Sequence, residues 1–160
     1  MNAPAPAAPE PPGLTFLAEL SVTVGEPIDV GQTPEGHRRV IPITGGTVSG
    51  PALNGRVVPG GADYQIARYD TLTELDARYV LETPDGHRIY VHNSALRHGN
   101  AEDIARLNRG EPVDAASIYF RCWPRLTTAA PEWEWLNARL AVGTGVRHPD
   151  HVLIRIFLID

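Results

Sequence analysis

Alternating apolar and polar residues run through most of the chain and predict a series of short β-strands. From Leu14 to Val24 an apolar side chain occupies almost every second position, which is typical of a strand with one buried face. The same reasoning predicts further strands at 38–44, 64–69, 75–81, 88–93, 117–123, 140–146 and 152–160. The strands at 75–81 and 88–93 form a predicted hairpin, because the Thr-Pro-Asp-Gly sequence between them suits a type I turn.

Helical patterns are rare in this sequence. Residues 100–109 are the one clear helix candidate, since Asn100 can cap the first turn and Gly110 can end the last. We predict a single helical turn or an irregular segment at 131–137, and turns or a loop at 25–36. About eight to ten short strands with one short helix and no βαβ rhythm predict an all-β fold, a single antiparallel β-barrel or a sandwich. The barrel is favoured because closure leaves no exposed edge strands.

Two stretches stand apart from the strand pattern. Residues 1–13 are rich in Pro and Ala and nearly free of charge, which predicts a disordered or polyproline-II tail before one domain at 14–160. Residues 44–63 carry six glycines between short β-branched runs. We predict strand, tight turn and strand here, with glycine where the backbone has positive φ or passes close to a neighbour. Pro42, just before this stretch, suggests an edge strand or a bulge.

Composition and charge exclude several classes of function. The net charge of −5 and the pI of about 5.6 argue against a general nucleic-acid or anionic-membrane binder. All 14 basic residues are arginine, so lysine-based covalent chemistry and a Walker phosphate loop are excluded. Cys122 is the only cysteine, which leaves no intrachain disulfide and makes a cytoplasmic location the expectation. No apolar run is long enough to predict a transmembrane helix.

The sequence also predicts neither a metal nor a cofactor. It has no HxH or HExxH motif, and no GxGxxG fingerprint is followed by a helix. A small-molecule ligand is therefore the expected partner, and the sequence allows a homodimer.

Charged and aromatic residues share one face of several predicted strands. Asp76 and Arg78 share a face of one strand, Tyr90 lies on the polar face of the next, and Arg121 alternates with aromatic residues on a later one. Periodicity leaves two interpretations open, a solvated outer face and a polar lumen, and the solvated face is the ordinary arrangement. Asp76 and Arg78 are accordingly either a structural ion pair or an acid beside an arginine clamp for a carboxylate or enolate.

Asp63 is the second candidate acid. It follows Gly60 and Gly61 at the point where a new strand begins. If its carboxyl is buried, the raised pKa would suit a general acid or base. The alternative is an ordinary turn or cap residue.

Several motifs taken together resemble the DUF3237 (UPF0311) family. The motifs are GGTVSGPALNGRVVPGGAD, LDARYVLETPDGHRIYVHN, YFRCWPRL, EWLN and VGTGVR, in this order within residues 14–160. The resemblance implies a compact antiparallel β-barrel and no established general activity. It directs attention to Asn54, Asp63, Asp76, Arg78, Tyr79, Arg121, Trp135 and Asn137. It also moves the expectation for the face of Asp76 and Arg78 towards a lumen or pocket wall.

The first functional hypothesis is an enzyme that needs no cofactor and acts on a small anionic or carbonyl metabolite. Its chemistry would be proton transfer, as in an isomerase, cyclase, hydratase or lyase. The acid or base would be Asp63 or Asp76, the oxyanion would be held by Arg78 and Arg121, and a hydrogen bond would come from Tyr79 or Tyr90. This hypothesis predicts that Asp63 lies within reach of Arg78 or Arg121 across a cavity.

Two other hypotheses remain open. One is a lipocalin-like carrier or sensor without chemistry, for which an apolar cavity lacking a carboxylate near an arginine would argue. The other is a structural barrel filled by side chains, with Trp133 and Trp135 at a dimer interface, for which a solid interior would argue.

Overall fold

The computed structural model describes residues 7–160, most of which lie in β-strands. Nine strands follow in chain order: β1 Leu14–Val24, β2 Ile28–Thr33, β3 Gly36–Ser49, β4 Gly55–Tyr69, β5 Leu72–Glu82, β6 Arg88–His98, β7 Tyr119–Thr128, β8 Ala141–Arg147 and β9 His151–Ile159. The helix α1 (Ala101–Asn108) lies between β6 and β7, and 3₁₀ segments occupy Ala115–Ser117 and Pro131–Ala138. Residues 7–13 are exposed and carry no helix or strand, and the rest of the expected tail lies outside the described residues.

Eight of these strands close into an antiparallel barrel. They neighbour one another in the order β1-β9-β8-β7-β6-β5-β4-β3, and pairing between β3 and β1 completes the ring. β2 pairs with β3 beyond the part of β3 that contacts β1. The predicted all-β fold, a single antiparallel barrel with one short α-helix, is thereby confirmed. Within residues 7–160, no helix combines the length and the apolar character needed to cross a membrane.

The helix α1 forms where the sequence predicts it. Asn100 Oδ1 accepts a hydrogen bond of 2.8 Å from the backbone N–H of Asp103, and Gly110 adopts a φ of +76° just beyond the helix. This is the cap at each end that those residue types favour. Ile104 and Leu107 are its buried residues and anchor it to the barrel.

Three expectations about strand limits are wrong. β2 lies in the region predicted as a loop, because its mostly exposed residues show no alternation. The strand predicted at 88–93 continues to His98. The strand predicted to end at residue 123 continues through Pro124 to Thr128 as β7. β7 pairs with β8 only at Arg121 and Cys122, so Pro124 lies where a neighbour is present on one side only and its missing N–H is tolerated.

The glycine-rich stretch 44–63 forms bulged portions of β3 and β4, with a turn at 50–54 between them. The register of β3 against β4 shifts between Pro42 and Thr47, which confirms the bulge interpretation. The register of β4 against β5 shifts around Gly61, where an added Cβ would lie only 2.4 Å from a carbonyl oxygen of β5. Glycine therefore allows the close strand approach that the sequence predicted.

The barrel interior divides into an apolar half and a polar half. Around the 3₁₀ segment Pro131–Ala138 it is filled by Leu53, Val57, Leu81, Ile89, Val91, Leu126 and Leu136. The opposite end, which we call the helix end, is surrounded by α1, β2 and the connection between β8 and β9. Towards the helix end the buried polar residues are Asp63, Gln65, Thr73, Asn93 and Arg97.

Candidate functional site

A small cavity occupies the polar half of the barrel. Its volume is about 50 Å³, which is room for a few water molecules. The polar part of its wall consists of Asp63 and Gln65 on β4, Tyr79 on β5, Asn93 and Arg97 on β6, and Arg147 on β8. The remaining wall is mainly aliphatic, so these polar groups lie around one small space in otherwise apolar surroundings. We call this space the inner cavity.

Five polar atoms in the wall of the inner cavity have no hydrogen-bond partner within residues 7–160. They are Asp63 Oδ1, Tyr79 Oη, Asn93 Oδ1, Arg97 Nε and Arg147 Nη1. A buried polar group without a partner costs about 1–3 kcal/mol of stability, and folded proteins contain few of them. The clustering of five such atoms around one cavity indicates a space built to hold water or a polar ligand.

Asp63 carries the one buried carboxyl group of the inner cavity. Its Oδ2 accepts a hydrogen bond of 2.7 Å from Gln65 Nε2, while Oδ1 has no partner in the described chain. Burial raises the pKa of the Asp63 carboxyl, and the Gln65 hydrogen bond and the charge of Arg97 oppose this rise. A carboxyl with a raised pKa can both release and accept a proton closer to neutral pH.

Three arginines on three strands interact electrostatically with this carboxyl, although none lies within ion-pair distance of it in residues 7–160: Arg39 on β3, Arg97 on β6 and Arg147 on β8. Burial lowers the pKa of Arg97 to about 10, and repulsion from Arg39 and Arg147 adds to the decrease. Burial also lowers the pKa of Arg39 and of Arg147. Guanidinium groups nevertheless keep their charge at neutral pH. One buried and two half-buried cations therefore interact electrostatically with one buried carboxyl.

An open cleft of about 530 Å³ lies at the helix end, between α1 and strands β2 to β5. Gln65 lines both this cleft and the inner cavity. Its Oε1 accepts a hydrogen bond of 2.9 Å from Arg39 Nη2, and Asn108 Oδ1 accepts from Arg39 at 3.2 Å and from Arg97 at 3.4 Å. This polar chain ties α1 to the barrel, and its member Gln65 borders both spaces. The cleft has the volume typical of a small-ligand site.

Two of the nine predicted site residues, Asp63 and Tyr79, line the inner cavity. Tyr79 is only 4% exposed and places its hydroxyl in the polar half of the barrel. The predicted approach of Asp63 to Arg78 or Arg121 is wrong, because both of these arginines lie at exposed, outward positions of their strands. The arginines that interact electrostatically with Asp63 are Arg39, Arg97 and Arg147 instead, and of these Arg97 and Arg147 line the inner cavity.

Asp76 and Arg78 lie on the outer face of β5. Their side chains are about half exposed and 3.4 Å apart, and His92 Nε2 lies 2.7 Å from the same Asp76 carboxylate. The inward positions of β5 belong to Leu75 and Tyr79, which are buried. The expectation that the face of Asp76 and Arg78 lines a lumen is therefore wrong, and the ordinary polar-outside arrangement holds.

The other five predicted residues also lie away from the inner cavity. Tyr90 is 44% exposed, and the Arg121 guanidinium lies on the outer surface, 5.1 Å from the centre of the Tyr119 ring. Trp135 lies at the apolar end, with its ring centre 6.3 Å from that of Trp133.

Asn54 and Asn137 instead hold the backbone at the apolar end. Asn54 exchanges two hydrogen bonds with the backbone of Gly50 and closes the turn at 50–54. Asn137 does the same with the backbone of Thr128 and fixes the 3₁₀ segment to β7. These contacts give both residues a structural part in the fold.

Sequence reasoning missed Asn93, Arg97, Arg147 and Arg39 as site residues. The sequence contained a signal for two of them. Asn93 and Arg97 lie at alternate positions that continue the apolar face of β6 formed by Ile89 and Val91. An isolated polar residue on an otherwise apolar strand face must find a partner inside the barrel. Tracing strand β6 only to Asn93 hid this pattern.

Metal binding finds no support in the described part of the chain. Among residues 7–160 no three His, Cys, Asp or Glu side chains come together in an arrangement that could hold a metal ion. The inner cavity is lined by one carboxyl group and two side-chain amides, and the nearby guanidinium groups would repel a metal cation.

Relatives of this chain include proteins of known structure. A UPF0311 protein of Rhodopseudomonas palustris is 43% identical over 141 residues, which are 88% of this chain and 92% of the relative. The crystal structure of a conserved protein of unknown function from the same organism superposes with a TM-score of 0.89 at 40% identity, covering 96% of this chain and all of the other.

A fungal relative carries a functional name. The hydroalkoxylation enzyme phnH of Penicillium herquei is 33% identical over 136 residues, which are 85% of this chain and 76% of the relative. The profile of the family described as "Protein of unknown function (DUF3237)" matches residues 12–159. The chain therefore belongs to the DUF3237 family, whose curated relatives also carry the name UPF0311.

Proposed function

We propose that this protein is an acid/base enzyme that acts on a small organic molecule at the inner cavity, with Asp63 as the proton-transferring group. The observation that carries the proposal is the free Oδ1 of a buried carboxyl, which faces a cavity and has no partner in residues 7–160. The reaction class is that of an isomerase, cyclase, hydratase or lyase, in which a proton is moved without net oxidation.

The surroundings of Asp63 suit this role. Gln65 donates to Oδ2 and is itself held by Arg39, so the carboxyl is fixed in one orientation with Oδ1 directed to the cavity. Burial raises its pKa and so brings the acid and the base form closer to equal population at physiological pH. Tyr79 supplies a hydroxyl group that makes no hydrogen bond within the described chain and could therefore bind the substrate.

The fungal relative narrows the reaction class. Hydroalkoxylation adds the O–H bond of an alcohol across a C=C bond: the alcohol oxygen bonds to one carbon to form an ether, and a proton is delivered to the other carbon. One group must take the proton from the hydroxyl, and one must deliver a proton to the carbon. The overall addition involves no net oxidation or reduction, so it needs no oxidant. If this chain performs related chemistry, Asp63 would shuttle that proton, and the reaction would be a cyclisation or a hydration.

The carrier and structural hypotheses receive less support. A carrier would favour an apolar cavity without a carboxylate near an arginine, whereas Asp63 lies among arginines. A purely structural barrel would favour a solid interior with satisfied polar groups, whereas five unpartnered atoms surround the inner cavity.

Product detection tests the proposal. The purified full-length protein is incubated with a panel of hydroxyalkenes, hydroxyenones and enones and the mixtures are separated by liquid chromatography with mass detection. Cyclisation or isomerisation gives a new peak of unchanged mass, and hydration adds the mass of one water. We expect the Asp63→Asn variant to lose about 100- to 10,000-fold of the rate. Turnover by Asp63→Asn at the wild-type rate would refute the assignment.

A further inference from the structure

We propose that the inner cavity recognises an oxyanion, held by the free N–H groups of Arg97 and Arg147, so that the substrate class is a small organic anion. The inference rests on the proposed function for the identity of the site but concerns binding, not proton transfer. It assigns a role to two residues that sequence analysis did not connect with function.

The charge balance of the inner cavity carries the inference. Arg97 is 2% exposed. The negative charge of Asp63 stabilises its guanidinium group, whereas the positive charges of Arg39 and Arg147 repel it. The other acids near these arginines, Asp29 beside Arg39 and Asp150 near Arg147, lie at the surface. Only Arg97 and Asp63 are buried, and with the half-buried Arg39 and Arg147 the cluster has three cations to one carboxylate. Positive charge that is partly removed from water is stabilised when an opposite charge joins it.

The unpartnered atoms specify where that charge would lie. Arg97 Nε and Arg147 Nη1 are donors without acceptors in residues 7–160, and both residues line the inner cavity. Asn108 Oδ1 is the one acceptor that Arg97 contacts through Nη2, and at 3.4 Å this is a long contact. Guanidinium groups match planar oxyanions such as carboxylates and enolates in geometry and charge. A carboxylate or enolate oxygen would satisfy both donors at once.

The two spaces divide the ligand between them. The inner cavity, at about 50 Å³, has room for an oxyanion head group of a few heavy atoms but not for a whole metabolite. The adjoining cleft of about 530 Å³ can hold the rest. Gln65 lies in the wall of both spaces, so the reacting part of the ligand would lie beside Asp63.

Thermal unfolding with small probes tests this inference without any turnover. Acetate fits the head-group space, acetamide is its neutral isostere, and sodium chloride controls for ionic strength. We expect sodium acetate to raise the Tm of the full-length wild type by about 2 °C or more beyond chloride, with saturation, because a ligand bound only to the folded state stabilises it. Acetamide should give no comparable increase.

Variants separate the inner cavity from the surface. Arg147→Gln should weaken the apparent acetate affinity about tenfold or more, whereas Arg88→Gln, an exposed arginine at the opposite end of the barrel, should leave it unchanged. Arg97→Gln, which removes the other proposed donor, provides a second arm if Arg147→Gln does not fold. Equal effects of acetate and acetamide, no effect beyond chloride, or an acetate effect untouched in both cavity variants would overturn the inference. Such results would leave Asp63 as the proton-transfer group, which is tested by turnover.

Discussion

The hydroxyl of Tyr79 offers the sharpest test of whether the unpartnered polar groups of the inner cavity destabilise the folded protein. Tyr79 is 4% exposed, and its Oη has no hydrogen-bond partner in the described chain. A desolvated hydroxyl without a partner costs about 1–3 kcal/mol. Tyr79→Phe removes that group and leaves the ring in place, so we expect the free energy of unfolding to increase rather than decrease.

Two effects reduce the gain in stability that removal of the hydroxyl would otherwise give. A water molecule in the inner cavity can recover part of the hydroxyl penalty, and loss of one oxygen atom removes a few dispersion contacts. We therefore expect a net gain of about 1 kcal/mol, near the lower end of the penalty. For a chain of this size that gain corresponds to a rise in Tm of about 2–4 °C.

Urea and thermal unfolding of ligand-free protein at neutral pH measure this change. The matched control is Tyr90→Phe, because Tyr90 is 44% exposed and its hydroxyl lies on the outer face, so its effect should stay within about 0.5 kcal/mol. Destabilisation by Tyr79→Phe of more than about 1 kcal/mol would refute the reasoning. It would mean that the hydroxyl is already well hydrogen-bonded in the folded protein, and that it is not an unsatisfied group available to a ligand.

Three further predictions concern the carboxyl, the strand packing and the thiol. Because the pKa of Asp63 is raised in the folded state, the folded protein keeps this proton to a higher pH than the unfolded chain does. Wild type should therefore lose stability relative to Asp63→Asn as pH rises from about 4 through the raised pKa, and urea titrations giving a constant difference would contradict this. Gly61→Ala should cost about 1–3 kcal/mol in urea unfolding, since the new Cβ would lie 2.4 Å from a carbonyl oxygen, whereas Gly25→Ala, with 3.4 Å of clearance, should be nearly neutral. Burial raises the pKa of Cys122 to about 11, so a disulfide reagent at pH 8 should react about 100-fold more slowly with the folded protein than with the urea-unfolded chain; equal rates would show an accessible thiol.

The sequence predicted the architecture because the barrel repeats one simple rule along most strands. β1 was located to its last residue, since its inward positions are apolar throughout. α1 was located within one residue at each end, because Asn100 and Gly110 mark its limits. β2 was missed since it packs on one neighbour with most side chains exposed, and exposure leaves no alternation to read.

The candidate site was only partly predicted. The reason is that the polar residues of β5 were assigned to the inner face of the barrel, whereas they lie on the outer face. Asp76 and Arg78 form a conspicuous polar pair, but they line the solvent side and interact with each other and with His92. The inner cavity is built from single polar residues, such as Asn93 and Arg97, set among apolar ones. Arg147 and Asp63 are far apart in sequence and line the same cavity only because the barrel closes, so no local pattern could have paired them.

The most direct measurement compares the two acids that the sequence could not rank. Steady-state kcat/KM is determined for wild type, Asp63→Asn and Asp76→Asn with a substrate from the product screen. The account predicts a loss of about 100-fold or more for Asp63→Asn, because its carboxyl faces the inner cavity, and nearly unchanged turnover for Asp76→Asn on the outer face. Loss of turnover in Asp76→Asn together with wild-type turnover in Asp63→Asn would contradict it and move the active site to the outer surface of the barrel.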